Sequence, residues 1–157
     1  MKTIFVVDDS DTNLSMAEAA LEEQFLVMTI PSAAKMFLLL EKIIPDMILL
    51  DIEMPEINGL DALKLLKAND SWLDIPVIFL TGRTDAEVEV RGFELGAVDF
   101  IIKPFSAPVL LNRIKTHLNI DKIIRERTTQ LNRLQNSIVS VLANMVENRD
   151  KGTGGHI

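Results

Sequence analysis

The sequence predicts an α/β fold in which five parallel strands form a doubly wound sheet, followed by a long C-terminal helix that forms a coiled coil. Three observations predict this fold. Five short apolar runs are bounded by turn residues, segments with helical spacing of apolar residues separate them, and no strand signal returns after residue 118. Short continuous apolar runs are typical of strands that are buried on both faces. Strands that alternate with helices indicate a parallel sheet with helices on both sides.

The first two strands lie at residues 4–7 and 26–30. The first strand ends at Asp8-Asp9, and Thr12-Asn13 is the N-cap that we expect for a helix with apolar residues at Leu14, Ala17 and Leu21. Pro31 closes the second strand, and Ser32 can cap a helix through about residue 43, which Pro45 ends. We expect the inner face of this second helix to carry Met36, Phe37 and Leu40.

The third strand is residues 47–51, and turn signals follow it at Pro55 and Asn58-Gly59. Asp51 therefore lies at the carboxyl end of a buried strand, which is where open α/β sheets place their ligand sites. Taken alone, a strand-end aspartate can equally be a turn cap. The next helix is predicted at residues 59–68, with an inner face of Leu60, Leu63, and Leu66 or Leu65.

The fourth strand, residues 76–80, ends at Thr81-Gly82. Thr84-Asp85 opens the helix that follows, and Gly96 is placed to cap its end. The fifth strand, residues 98–102, ends at Lys103-Pro104. The last helix is predicted to begin around residues 106–108.

The last helix carries a heptad pattern. From His117 to Asn148, ten positions recur at alternating steps of three and four residues, and seven of them are apolar. No Gly or Pro interrupts the chain between Pro108 and Gly152. A narrow apolar stripe needs a partner, so we predict a parallel coiled-coil homodimer over residues 121–148. The alternative is an amphipathic helix that folds back on its own domain. The predicted seam consists of Ile120, Ile124, Leu131, Leu134, Ile138, Val141 and Met145.

Composition narrows the class of protein. The formal net charge is −7, with 10 basic and 19 acidic residues in residues 1–120 and 6 basic and 4 acidic residues in residues 121–157. An acidic chain disfavours nonspecific nucleic-acid binding. The sequence has no cysteine, which excludes disulfides and thiolate metal sites and suits a reducing cytoplasm. We also expect no membrane span and no secretory signal.

The carboxyl ends of parallel strands meet at one edge of a sheet. That edge brings together Asp8, Asp9, Asp51, Thr81 and Lys103. Clustered carboxylates repel each other, and Mg²⁺, which prefers oxygen ligands, relieves the repulsion. An ammonium and a hydroxyl beside such acids suit a phosphoryl group. We expect Asp51 to attack that group and form an aspartyl-phosphate, while Lys103 neutralises the charge on its oxygens. A lone strand-end lysine is usually solvated and a lone threonine is usually a cap, so the prediction depends on the combination.

These residues resemble the receiver domain of two-component response regulators. The resemblance covers residues 1–120 and is carried by Val7-Asp8-Asp9, Leu50-Asp51 with Met54-Pro55 and Gly59, Thr81-Gly82, and Lys103-Pro104-Phe105. It implies the flavodoxin-like version of the predicted fold.

The resemblance also implies roles for individual residues. Asp51 is then the phosphoacceptor, supplied by a sensor histidine kinase or a small phosphodonor. Mg²⁺ is held by Asp8, Asp9, Asp51 and the backbone carbonyl of Glu53. Thr81 and Phe100 form a switch pair, in which the threonine moves onto the phosphoryl group and the ring turns inward.

Residues 139–157 are similar to the opening of an HD-GYP domain, in Glu147-Asn148-Arg149-Asp150 and in the run from Thr153 to Ile157. That family hydrolyses cyclic di-GMP at a metal centre. We therefore expect residues 149–157 to be the truncated start of such an output domain, in which His156 is a candidate metal ligand. The HD and GYP motifs themselves are absent, so we expect no phosphodiesterase activity in this chain.

Two other classes of protein compete with this interpretation. A haloacid-dehalogenase-like phosphatase also uses an aspartate nucleophile and Mg²⁺, but its Asp-x-Asp pattern lies on the first strand, where this chain has adjacent acids. A receiver with a DNA-binding output is the other, although residues after 120 show no break typical of a helix-turn-helix motif.

Overall fold

A computed structural model describes residues 1–82 and 85–154, with side chains described through residue 150. The chain divides into two units, Met1–Leu118 and Asn119–Ile157. Strands and helices alternate through the first unit, as the sequence predicts. The elements in chain order are β1 Thr3–Val7, α1 Asp11–Leu21, β2 Leu26–Ile30, α2 Ala33–Leu40, β3 Met47–Asp51, α3 Gly59–Lys67, β4 Val77–Thr81, α4 Ala86–Leu95, β5 Asp99–Ile102 and α5 Ala107–Gly154.

The five strands form one parallel sheet in the order β2-β1-β3-β4-β5. This is the flavodoxin-like order, in which the chain reverses direction across the sheet at β1 and β3. Every residue of β3 and β4 is buried, because both central strands carry helices on each face. The predicted α/β fold, with its parallel sheet and long C-terminal helix, is confirmed.

Alternate residues of each strand supply the two halves of the core. On one face, Phe5 and Leu50 pack with apolar residues of α2 and α3. On the other face, Val6 and Leu49 pack with residues of α1 and with Leu110 in the first turn of α5. This period of two is the geometry of a pleated strand. Because both faces of the sheet are covered by apolar residues, polar side chains collect at the ends of the strands.

Several predicted boundaries are wrong. Ser10, and not Thr12-Asn13, caps α1, since its hydroxyl accepts a hydrogen bond from the backbone N–H of Asn13. Helix α2 ends at Leu40, several residues before Pro45. The proline therefore does not set the end of this helix. Of the two alternatives predicted for the inner face of α3, Leu66 is confirmed, because it is buried and Leu65 is exposed. Strands β4 and β5 each begin one residue later than predicted.

Other predicted caps are confirmed. The hydroxyl of Ser32 accepts a hydrogen bond from the backbone N–H of Lys35 at 3.2 Å. Gly96 ends α4 with φ of +110°, in the left-handed region that glycine enters without steric cost. Asp85 is the N-cap of α4, and Thr84 lies outside the described residues.

The described residues of the second unit form the remainder of α5. The seven predicted seam residues lie on it with 45% to 62% of their surface exposed. Pairing through that seam stays a prediction. Residues 155–157, including His156, lie outside the described residues. Within the part of the chain that the structure describes, none of the helices combines the length and apolarity that crossing a bilayer requires.

Candidate functional site

Three carboxylates meet where β1 and β3 end. The two strands pair in parallel, with Val7 opposite Leu50, so the residues that follow share one edge of the sheet. Asp8, Asp9 and Asp51 each place a carboxylate oxygen within 4.8 Å of the others. Asp8 and Asp51 are buried and Asp9 is exposed, so the cluster has one side open to solvent. The structure therefore brings the predicted acids together.

Asp8 is held in place by the start of α1. The backbone N–H of Ser10 donates to Asp8 Oδ1 at 2.9 Å, and Asn13 Nδ2 donates to Asp8 Oδ2 at 3.1 Å. The predicted cap at Thr12-Asn13 does not include this contact between Asn13 and Asp8. With Ser10 as the N-cap, Asn13 lies three residues into the first turn, where its side chain reaches back toward the strand end. Sequence alone does not decide which of Ser10, Thr12 and Asn13 is the cap.

Lys103 joins the acids from the far side of β4. Its Nζ lies 3.0 Å from Asp51 Oδ1 and 3.4 Å from Asp8 Oδ2. The backbone positions the residue, because the N–H of Lys103 donates to the carbonyl oxygen of Thr81 at 2.7 Å. One ammonium group thus contacts two carboxylates that are separated by 43 residues in sequence.

Burial and neighbouring charges change the pKa values of Asp51 and Lys103. Burial raises the pKa of Asp51 to about 6, and the charge of Asp8 adds to the rise, although the hydrogen bond from Lys103 lowers it. Burial lowers the pKa of Lys103, but hydrogen bonding to Asp51 and the charges of Asp51 and Asp8 outweigh burial, and the net pKa is raised. Lys103 therefore stays protonated, and a second cation would favour the ionised form of Asp51.

The loop after β3 packs tightly under Asp51. The backbone N–H of Gly59 donates to the carbonyl oxygen of Ile52 at 2.8 Å. A Cβ at Gly59 would overlap the backbone carbonyl oxygen of Asp51 and lie 2.7 Å from Ile52 Cα. Only glycine permits this approach. The contact explains why Gly59 follows the site at the start of α3, and it fixes the backbone that carries Asp51.

Thr81 and Phe100 lie on the neighbouring strands β4 and β5. Thr81 ends β4, one residue after Leu80, which pairs with Asp51. Thr81 is buried. Phe100 pairs with Phe79, and its partly buried ring packs against that residue at a centroid distance of 5.3 Å. The two predicted switch residues both line a cleft of about 240 Å³.

The donor set fits a hard divalent cation. The cluster offers carboxylate oxygens from three residues, and Mg²⁺ takes such ligands together with water and phosphate oxygens. Glu53 lies two residues past Asp51, and its backbone N–H donates to Asp51 Oδ1 at 3.3 Å. That hydrogen bond places the Glu53 backbone beside the cluster. The role of its carbonyl as a ligand stays a prediction.

Comparison with known proteins identifies related chains. A family model described as the response regulator receiver domain matches residues 4–115. The chain is 36% identical over 169 aligned residues to a protein of Vibrio cholerae serotype O1 named probable cyclic di-GMP phosphodiesterase, in an alignment that covers 99% of this chain and 38% of that protein. It is 28% identical over 157 residues to the probable transcriptional regulatory protein SilR of Salmonella typhimurium, covering 100% of this chain and 65% of that protein. The chain thus spans less than two thirds of each relative.

A solved structure extends the likeness to the fold. The chemotaxis protein CheY4 of Vibrio cholerae superposes on this chain with a TM-score of 0.71 and 26% sequence identity. The superposition covers 74% of this chain and 98% of CheY4. The superposed part of this chain thus corresponds to nearly the whole of CheY4.

Proposed function

This chain belongs to the response regulator receiver family, and from that premise we propose that it accepts a phosphoryl group on Asp51 in a Mg²⁺-dependent reaction. The observation that carries the proposal is the meeting of Asp51 with Lys103 at 3.0 Å inside a cluster of three carboxylates. Receivers of this family are phosphorylated by sensor histidine kinases, and such a kinase is the proposed partner. A small phosphodonor such as acetyl phosphate would serve the same site.

The hydrogen bonds to Asp51 support a direction for the proposed attack. Among the described residues, Lys103 Nζ and the backbone N–H of Glu53 both donate to Asp51 Oδ1. These contacts leave Oδ2 to attack phosphorus, and the bond from phosphorus to the donor's leaving atom breaks as the new P–O bond forms. The proton that the leaving group needs comes from solvent, on the side of the site that Asp9 leaves open.

The proposed roles of the neighbouring residues follow from their charge. Asp8, Asp9 and Asp51 would hold Mg²⁺, which supplies positive charge to the phosphoryl oxygens when bound. The ammonium of Lys103 neutralises the same oxygens, since it already lies at hydrogen-bond distance from Asp51. The hydroxyl of Thr81 donates to a phosphoryl oxygen, and Phe100 responds to the movement of Thr81.

We propose that the signal leaves the receiver through α5 and that the protein is a dimer. The support is the row of exposed apolar residues on α5, such as Leu131 and Ile138, which one helix alone does not bury. In this proposal two copies pair in parallel along the seam. A change at Asp51 then alters the pairing or the twist of the two helices.

The proposed output is an HD-GYP domain that hydrolyses cyclic di-GMP. It is supported by the resemblance of residues 139–157 to the opening of such a domain and by the 36% identity to the Vibrio relative over 99% of this chain. The chain itself then has no phosphodiesterase activity and carries only the phosphorylation and dephosphorylation of Asp51.

A second output is supported by the match to SilR over 100% of this chain. In that case the receiver regulates transcription. Hydrolysis of cyclic di-GMP by a longer form of the protein would favour the first output, and DNA binding would favour the second. Steady-state phosphatase turnover by this chain would instead favour the haloacid-dehalogenase-like reading.

The phosphoacceptor is tested with acetyl phosphate and Mg²⁺, with the mass of the intact protein as the readout. We expect one phosphoryl group per chain, and none in Asp51→Asn. The matched control is Asp61→Asn, because Asp61 lies exposed on α3 and should leave the labelling unchanged. Labelling that survives in Asp51→Asn would contradict the assignment.

A further inference from the structure

Gly92 lies in the middle of α4 and faces the ring of Phe100. Among the described residues of this helix, it is the buried one. A Cβ at this position would overlap Phe100 Cζ and would lie 3.1 Å from Phe100 Cε2 and 3.2 Å from Phe79 Cε2. Glycine inside a helix costs about 1 kcal/mol relative to alanine. The ring contact is a packing reason for accepting that cost.

The ring of Phe100 is held between the sheet and α4. Its centroid lies 5.3 Å from that of Phe79, which is fully buried in β4, and 5.0 Å from that of Phe93 on α4. Phe93 is 45% exposed. One neighbour of the ring therefore belongs to the buried part of the sheet, and the other belongs to a helix whose described residues are mostly exposed.

A cleft of about 240 Å³ adjoins the ring. Thr81 and Phe100 both line it, together with Val88 from α4 and Arg113 from α5. An apolar cavity of about 150 Å³ accommodates a molecule of benzene. The cleft is thus large enough for the ring to turn from the face of α4 toward Thr81.

We propose that Gly92 is a positioning residue of the switch. Its missing side chain provides the space on α4 that the Phe100 ring occupies in this structure. This inference rests on the proposed switch role of Thr81 and Phe100. A methyl group at position 92 removes that space, so the ring moves into the cleft beside Thr81 and the protein shifts toward its phosphorylated form.

The test is a double-mutant cycle of wild type, Gly92→Ala, Phe100→Ala and the double variant. The first readout is the ¹⁹F resonance of 4-fluorophenylalanine placed at position 100, without any phosphodonor. In Gly92→Ala we expect it to move most of the way toward the position seen in the wild type with Mg²⁺ and beryllofluoride, a phosphoryl mimic. An unmoved resonance would overturn the proposal.

The second readout is the apparent affinity for beryllofluoride with Mg²⁺. Gly92→Ala should bind about threefold to tenfold more tightly than wild type, because less free energy is needed to move the ring. The gain should vanish in Gly92→Ala/Phe100→Ala relative to Phe100→Ala, since no ring remains to be displaced. A gain that persists in the double variant would show an effect of helix stability alone and would reject the proposal.

Folding failure is also informative. If Gly92→Ala does not fold but the double variant does, the clash with the ring is established. If neither folds, the clash lies elsewhere and the proposal is wrong. The proposed function fails separately, through binding of beryllofluoride that is absent in wild type or that persists in Asp51→Asn. In either case, the difference in the ring resonance at position 100 between wild type and Gly92→Ala without a phosphodonor still reports whether the ring has left the space beside Gly92.

Discussion

Lys103 and Asp51 lie 52 residues apart in sequence, and their Nζ and Oδ1 atoms lie 3.0 Å apart in the fold. The ion pair crosses β4, because Asp51 ends β3 and Lys103 follows β5. Asp8 lies within 3.4 Å of the same ammonium. The ion pair therefore links the ends of β3 and β5 across β4. It also places the positive charge of Lys103 where a phosphoryl group would arrive in the proposed reaction.

Lys103→Met should slow phosphorylation of Asp51 by about 10²-fold or more, because the developing charge on the phosphoryl oxygens loses its nearest protein cation. Lys64→Met is the control, since Lys64 is exposed on α3 and forms an ion pair with the exposed Asp61 at 3.8 Å. The initial rate of labelling by acetyl phosphate measures both variants. A Lys103→Met rate within about threefold of the Lys64→Met rate would remove Lys103 from the proposed chemistry.

Asp51 should destabilise the metal-free protein at neutral pH. Its folded-state pKa of about 6 lies above the usual 3.8, so between these values the folded protein holds a proton that the unfolded chain has released. The stability that Asp51 contributes is present below about pH 4 and is lost as the pH rises through about 6. Asp51→Asn carries no such penalty.

Urea unfolding in EDTA measures this effect. Between about pH 4.5 and 7.5, the free energy of unfolding of wild type should fall by about 2 kcal/mol relative to that of Asp51→Asn. Asp61→Asn serves again as the control and should follow wild type. A constant difference between wild type and Asp51→Asn across this range would mean that burial does not raise the pKa of Asp51.

Asn13 should strengthen metal binding without being a ligand. Its side chain donates to Asp8 Oδ2 at 3.1 Å, and partners that orient a ligand typically contribute about 10- to 100-fold to metal affinity. Asn13→Ala should weaken Mg²⁺ binding by about 10-fold in a direct titration. Asn112→Ala, on the exposed side of α5, should leave the affinity unchanged. Equal affinities in the two variants would show that Asp8 is oriented by other groups.

The seam of α5 should hold the dimer. Leu131→Glu combined with Ile138→Glu should give monomers by light scattering, because buried glutamates at the seam would be unpaired. The matched control is Val139→Glu combined with Val146→Glu, since both valines are exposed apolar residues of the same helix but lie off the seam. Monomers from the control pair, or a dimer that survives the seam substitutions, would contradict the coiled coil.

The strands were predictable because each is a short apolar run that ends in a turn signal, and a parallel sheet places those ends at one edge. Asp8, Asp9, Asp51 and Lys103 followed from that rule. The cap of α1 was not predictable in the same way, because Ser10, Thr12 and Asn13 are all capable N-cap residues. Local sequence does not decide among them, and the contact of Asn13 with Asp8 does.

Two further features depend on distances that sequence does not contain. Gly59 and Gly92 each face atoms that come from other elements, the Asp51 backbone in one case and the Phe100 ring in the other. A glycine in a helix can mark a cap, a bend or a close approach. Only the packed structure distinguishes these alternatives.

We propose that three carboxylates and Lys103 form one site for Mg²⁺ and a phosphoryl group at Asp51. Beryllofluoride binding, followed by ¹⁹F NMR, tests it most directly. We expect bound-fluoride resonances at one equivalent per chain with Mg²⁺, and none in EDTA or in Asp51→Asn. Bound resonances that appear without Mg²⁺, or that persist in Asp51→Asn, would contradict the account.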